Sequence, residues 1–319
     1  MPGAYAHITL VNEAAAPRNL NKKPRIPVRA KRSLSDWLGF AELGAVSPDY
    51  PYLVLGSRQA ATWADTMHSK ATGRRIAAGV AHVRELSGDA QEKCCAWLMG
   101  FAAHTFTDIT IHPAVNLKVG PYEQNKQAHR ICEMHQDAYI VGRLDYSDIG
   151  VVEHLDSGIR RCGPEGEDGG LDEDVKAAWG AMLRASDTQM FADYPPDFDR
   201  WHNRFTFMVD NVAEEGGGLF PFARHLMVAG GLMYPARKDV DIAEYIENFP
   251  VPVMSTMHYD ELFNRAVNNV CDAWEYIGRG IYEGDDSYLA WLKDYSLDTG
   301  TLIDPATGIP AENDFLFWR

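Results

Sequence analysis

Apolar residues recur at helical spacing along most of the chain. No stretch sustains the valine and isoleucine alternation of a half-buried strand, so the pattern predicts an all-α protein. SLSDWLGFAEL, residues 33–43, opens on a serine–aspartate start and carries apolar positions at helical spacing. In GAVSPDYPYL, which ends at Leu53, one glycine and two prolines predict an irregular, extended loop. Residues 59–86 read as one or two helices, with Gly73 as the break. Residues 89–111 form a long apolar helix that Pro113 should stop, and 123–143 form the next. Further on, DEDVKAAWGAMLRAS, FDRWHNRFTFMVDNVAE and ELFNRAVNNVCDAWEYIGRGIY are again helical. The turn-rich tail from SLDTGTLID onward should wrap back over the body. GPEGEDGG at 163–170 reads as an acidic, glycine-rich linker. It divides a helical core at 1–162, which carries the candidate site described below, from a helical region at 171–319 that packs on it, the two together forming one domain or two.

Composition narrows the class. At 46% hydrophobic the chain can bury a sizeable core, and no apolar run reaches the ~20 residues that span a bilayer, so no transmembrane segment is expected. The N-terminus has no basic stretch followed by an apolar one. Five cysteines, Cys94, Cys95, Cys132, Cys162 and Cys271, form neither an even set nor a CxxC pair. Both features point to reduced thiols and a cytoplasmic setting. The net charge of −15 sets 45 acidic against 30 basic side chains, which argues against extended nucleic acid as a partner. PRNLNKKPRIPVRAKR, residues 17–32, runs the other way with seven Lys/Arg and no acid. It reads as a solvated loop first, and as a flap attracting an anionic substrate or lipid headgroup second. The sequence fixes no oligomeric state.

The chemistry begins at HTFTDITIHP, residues 104–113. His104, Asp108 and His112 stand at i, i+4 and i+8, which drift only ~40° per step and share one helical face. His129, Glu133 and Asp137 repeat that spacing on the following helix, and Asp65 and His68 are i, i+3 neighbours. Imidazole nitrogen and carboxylate oxygen are the ligands of catalytic zinc, and two helices presenting such faces can hold more than one ion. A His–Asp pair on a helix is ordinarily a surface ion pair or a satisfied core histidine. Here the neighbours are apolar and no Lys or Arg lies between Lys93 and Lys118, so a cation is the economical partner for Asp108.

AHI at 6–8, GAVSPDYPYL at 44–53, WADTMH at 63–68, HTFTDITIHP and HRICE at 129–133, in this order, resemble the zinc-dependent phospholipase C family. That family is related to the fungal single-strand nucleases and nucleotidases. SLDTGTLID has the look of family sequence with less specificity. The resemblance implies a multi-helix bundle that holds three zinc ions and hydrolyses phosphoesters. Carried over, Asp49, His68, His104 and Asp108 would surround one ion, Asp108 would bridge to a neighbour, and His112, His129 and Glu133 would hold another. His7 would stand for the histidine of the third family site. The chain starts Met-Pro and lacks the tryptophan that the third site uses, so two or three ions are implied. Asp108 and His112 are closer in sequence than in the secreted members, which suggests an intracellular-looking branch. Asp137 would be an extra ligand or an outer acceptor, and Asp65 would accept the second ring N–H of a ligand such as His68.

The function so implied is a zinc-dependent, phospholipase C-like phosphodiesterase using a metal-activated water. Asp49 and Asp108 are its catalytic carboxylates, Asp49 as general base, ligand or both. A phosphate ester or other small molecule would enter where segments 44–57 and 113–122 meet, lined by Tyr50, Tyr52 and Tyr122. Trp201, Arg204 and Tyr259 are offered to a substrate pocket from the C-terminal half. The alternatives are a nucleotidase- or nuclease-like phosphohydrolase, a metal hydrolase of another bond, and a non-catalytic helical protein with a structural metal.

Overall fold

A computed structural model describes residues 4–144, 158–163, 170–215, 234–253, 256–311 and 315–318. Most of the proposed linker, residues 164–169, and the glycine-rich stretch at 216–220 lie outside the described residues.

The first half of the chain is a run of helices: α1 Ala4–Ala15, α2 Pro17–Leu20, α3 Val28–Asp36, α4 Leu38–Val46, α5 Arg58–Ser69, α6 Thr72–Arg84, α7 Gly88–Val119 and α8 Tyr122–Arg143. It continues with α9 Glu173–Ser186, α10 Thr188–Asp193, α11 Phe198–Glu215, α12 Ile242–Tyr245, α13 Tyr259–Tyr282 and α14 Tyr288–Trp291. Two two-residue strands, β1 Phe249–Pro250 and β2 Thr256–Met257, pair antiparallel with Phe249 opposite Met257. The fold is all-α.

Helix α7 is the axis of the molecule. From Cys94 to Val115 every residue is buried, as a helix that is apolar on all sides requires, and α1, α3, α4, α6, α8 and α13 pack around it. α9 packs on α6 and on α7 itself, so helices from beyond residue 171 share this core. Pro113 does not stop α7, which runs on to Val119. A proline removes one helical N–H and crowds the carbonyl four residues back; that carbonyl, on Ile109, faces Gly300 of the tail.

Several local expectations are corrected. The helix expected from Ser33 is two helices, broken at Trp37 with φ −123° and ψ 36°. The α5–α6 break falls at Ala71, which adopts a left-handed φ of 52°. Gly73 lies inside α6, where an added Cβ would stand 2.2 Å from the Lys293 carbonyl oxygen. Residues 17–32 are a solvated loop only in part: 21–27 run as turns, flanked by α2 and the start of α3, and most of the segment is exposed. Arg18 pairs with Glu13, Lys23 with Asp272, and Arg25 with Glu275 at 3.2 Å, so acids on α1 and α13 offset part of the charge.

The closest helix pair is α4 on α7. A Cβ on Gly44 would stand 2.0 Å from the Trp97 carbonyl oxygen, and one on Gly100 1.9 Å from the Ala41 carbonyl oxygen. Backbones this close carry the end of α4 over His104. Gly100→Ala is therefore expected to destabilise by about 3 kcal/mol, the upper end of overpacking penalties, when unfolded in urea. A loss below ~1 kcal/mol would mean the interface yields easily.

Candidate metal centre

The three residues of the α7 stripe project together into one buried cluster. His104 and Asp108 are wholly buried and His112 nearly so. Opposite them stand His7 from α1, His68 from the last turn of α5, and Asp49 from the 3₁₀ helix Ser47–Leu53 that follows α4. That segment is regular where an extended loop was expected. Three residues per turn put Ser47 and Tyr50 in the core and turn Asp49 and Tyr52 to the other side. Ser47 locks it, donating to the Leu43 carbonyl at 2.7 Å and accepting from Trp97 Nε1 at 3.1 Å.

Backbone carbonyls set the histidines. His68 Nδ1 lies 2.8 Å from the Ala64 oxygen, His104 Nδ1 2.8 Å from the Ala45 oxygen, and His112 Nδ1 2.7 Å from the Leu297 oxygen. Only an N–H can meet a carbonyl, so each of these rings keeps a proton on Nδ1 and turns inward an Nε2 that is bare whenever the ring is neutral. His129 is reversed: Nε2 meets the Gly120 oxygen at 2.7 Å and Nδ1 faces Glu133 Oε1 at 3.8 Å. Gly120 turns the chain between α7 and α8 at φ 90°, a backbone that side-chain-bearing residues rarely adopt.

The inward atoms crowd each other. His68 Nε2 is 3.2 Å from His104 Nε2, His104 Nε2 is 3.2 Å from Asp108 Oδ2, His68 Nε2 is 3.3 Å from Asp49 Oδ1, and His7 Nε2 is 3.3 Å from Asp108 Oδ1. Two bare ring nitrogens at that distance repel unless a cation or proton lies between them. Zinc with ligands at ~2.0–2.1 Å in a tetrahedron gives ligand edges of ~3.3 Å, so the spacing fits that ion. Both Asp108 oxygens, both His7 nitrogens, Asp49 Oδ1, His112 Nε2 and His129 Nδ1 are buried without a hydrogen-bond partner, which is what ligand atoms awaiting a cation would show. Among the described residues two three-donor sets result, His7–His104–Asp108 and Asp49–His68–His104, the donors of each within 4.8 Å of one another.

A match to the zinc dependent phospholipase C family model runs over residues 6–188, more than half of the chain. The chain belongs to that family. No curated protein and no solved structure matches it. Family membership and the donor geometry agree on a zinc-binding protein of the phosphoesterase type.

The remaining residues singled out from the sequence fall less tightly. His112 Nε2 is 3.7 Å from Asp108 Oδ1, and among the described residues it forms no such compact set with His129 and Glu133. The Asp108 carboxylate turns Oδ2 to His104 and His68 and Oδ1 to His7 and His112. Asp137 joins neither three-donor set and accepts a hydrogen bond from Tyr234. Asp65 does not serve His68, because the Ala64 carbonyl lies directly beneath that ring. Exposed Asp65 takes the Tyr52 hydroxyl at 2.8 Å instead. Tyr50 is fully buried, stacked on Phe205 at 4.6 Å, and so lines no mouth; Tyr52 and Tyr122 are half-buried beside His68 and His129. Trp201 and Tyr259 are core residues and Arg204 is exposed.

Sequence reasoning missed three contributors. Arg75 is buried on α6 and donates to the Met67 and Thr66 carbonyls, fixing the end of α5 that carries His68. Leu297 is the acceptor for His112, and half-buried Asp298 adds its field to Tyr52, His112 and Tyr122. Only the family look of SLDTGTLID hinted at the last two.

The ionisable groups of the cluster shift one another. Burial would push Asp108 up, but the His112 and His104 rings outweigh it and hold its carboxyl well below the usual range. Burial would lower His104, yet Asp108 and Asp49 raise it to about 9. His7 and His112 are lowered, chiefly by burial. For the metal-free protein the signs are opposite on the two sides of the ordinary histidine value near 6.5. Above it the folded state holds His104's proton more tightly than the unfolded chain, so that stability is lost as pH rises toward 9. Below it the unfolded chain takes up the protons that His7 and His112 resist, so stability falls with pH there too. Chelated protein is expected to show its highest Tm near pH 6.5. A Tm that keeps climbing to pH 9 would contradict this assignment.

Proposed function

We propose that the protein hydrolyses a phosphoester, as a phospholipase C-like phosphodiesterase, with two or three zinc ions in the His/Asp cluster. The contact that carries this reading is the 3.2 Å approach of His68 Nε2 to His104 Nε2, both rings being protonated on Nδ1. Asp49, His68, His104 and Asp108 would hold one ion, with Asp108 shared toward His7. His112, His129 and Glu133 would hold a further one. Bound zinc supplies Lewis-acid chemistry, bringing the pKa of water toward neutral and offsetting charge on phosphoryl oxygens.

The chain's own groups do the rest. The Asp49 side chain is 21% exposed while Asp108 is fully buried, so of the two carboxylates Asp49 meets the substrate side. His104 and then His68 hold it below the usual range against burial, which keeps it ionised and able to accept a proton from the attacking water. Tyr52 and Tyr122 flank the opening and offer aromatic faces to the leaving group. Donors that reach a partly exposed carboxylate favour an open, reactive site over a closed structural one. The net charge of −15 favours small esters over long polynucleotides. The five cysteines are buried and none is disulfide-linked, in keeping with a reducing compartment such as the cytoplasm. Zinc analysis of the purified protein, together with assay on phosphodiester and phosphomonoester panels, tests the reading. Two or three ions with diester hydrolysis support it. A single ion with every ester left intact would remove it.

A further inference from the structure

We propose that the segment Tyr295–Gly300 is a working part of the metal centre, its Leu297 peptide group orienting His112 and tying it to the helix end that carries His68. The segment lies well beyond residue 188, where the family match ends. The inference rests on His112 being a zinc ligand, as read above.

Leu297 serves both sides of the cluster. Its carbonyl accepts from His112 Nδ1 at 2.7 Å, and its N–H donates to the His68 carbonyl at 2.9 Å. The first bond leaves His112 Nε2 bare, buried and directed at Asp108. Without that carbonyl the ring is free to move its proton to Nε2 or to rotate, and either change withdraws the lone pair. The second bond links the ring's support to the backbone of the residue on the other side of the cluster.

The segment is held stiffly enough for this task. Upstream, Thr72 Oγ1 donates to the Tyr295 carbonyl at 2.9 Å and accepts from the Tyr295 N–H at 2.7 Å. Downstream, Asn116 on α7 donates to the Asp298 carbonyl, and the Gly300 N–H closes a turn onto the Ser296 carbonyl at 2.8 Å. Gly300 sits at φ 67°, and a Cβ there would be 2.3 Å from Pro113 Cγ and 2.5 Å from the Ile109 oxygen. The segment therefore lies directly against α7 beside His112.

Thr72→Val and Asn116→Leu each cut one anchor while leaving every proposed ligand in place. Zinc is counted and then competed with a chromophoric chelator, and Tm is read for chelated and loaded protein. One ion should weaken by about 10–100-fold in each variant while the others hold. In a His112→Ala background, Asn116→Leu should add no further loss of affinity, because the anchor then has no ring to position. A segment that only supports the fold would lower Tm equally with and without zinc and leave every affinity unchanged, which overturns the inference. A wild-type protein that takes up no zinc would remove the metal reading itself, and this inference with it. Zinc-binding wild type with unaltered variants removes the inference alone.

Discussion

Asp108→Ala is expected to release zinc from two sites at once and to cut hydrolysis by at least about 10³-fold. The metal charge contributes several kcal/mol to the transition state, and ~1.4 kcal/mol is a factor of ten. The reason lies in the carboxylate's disposition. One oxygen stands 3.2 Å from His104 Nε2 and the other 3.3 Å from His7 Nε2, so each three-donor set meets at or beside the same side chain. Added zinc should not restore activity, because the remaining nitrogens are neutral ligands with less charge to offset that of the ions. The metal-free variant supplies a control. Without Asp108, His104 loses its largest source of upward shift, and the fall in stability between pH 6.5 and 9 should shrink. A variant that keeps its full zinc content and a tenth of its activity would end the bridging role.

Asp49→Asn should separate holding zinc from moving a proton. The amide keeps the shape and an oxygen toward His68, but it cannot take the proton of water. If Asp49 is the general base, kcat should fall by about 10²–10⁴-fold with at most one ion lost and KM little changed. Loss of zinc in step with activity, and recovery of both at high zinc, would instead assign Asp49 to ligation alone. The two substitutions differ in the order of their symptoms. Asp108→Ala loses metal first and activity as a result, whereas Asp49→Asn loses rate on a nearly complete centre.

What the sequence disclosed about this centre follows from how local each signal is. His104, Asp108 and His112 could be seen to share a face because helical periodicity is a property of neighbours in the chain. The apolar residues around them announced burial, and the helices of the second half were legible for the same reason. Pro113 misled because α7 continues through it to Val119, and the tail packed beside it at Gly300 lies almost two hundred positions away in the chain. Tyr50 and Tyr52 look alike in sequence, yet a 3₁₀ turn sends one into the core and the other toward the site. Asp65 was a reasonable acceptor for His68 by side-chain chemistry. The actual acceptors of His68, His104, His112 and His129 are the carbonyls of Ala64, Ala45, Leu297 and Gly120, and every residue has a carbonyl. Backbone groups leave no mark in the amino-acid code, so this part of the centre's support could be found only in three dimensions.

His104 stands in both three-donor sets, yet it has a single electron pair to give, since its other nitrogen is committed to the Ala45 carbonyl. An ion held with His7 and Asp108 that captures it leaves the neighbour to Asp49 and His68, and an ion held with Asp49 and His68 that captures it leaves the neighbour to Asp108 and His7. Uptake should therefore proceed in steps of unequal strength, and a calorimetric titration should resolve a tight event before a weaker one. At limiting zinc the protein would then be a population of partly filled molecules, whose turnover rises with metal supply long after the first ion is in place.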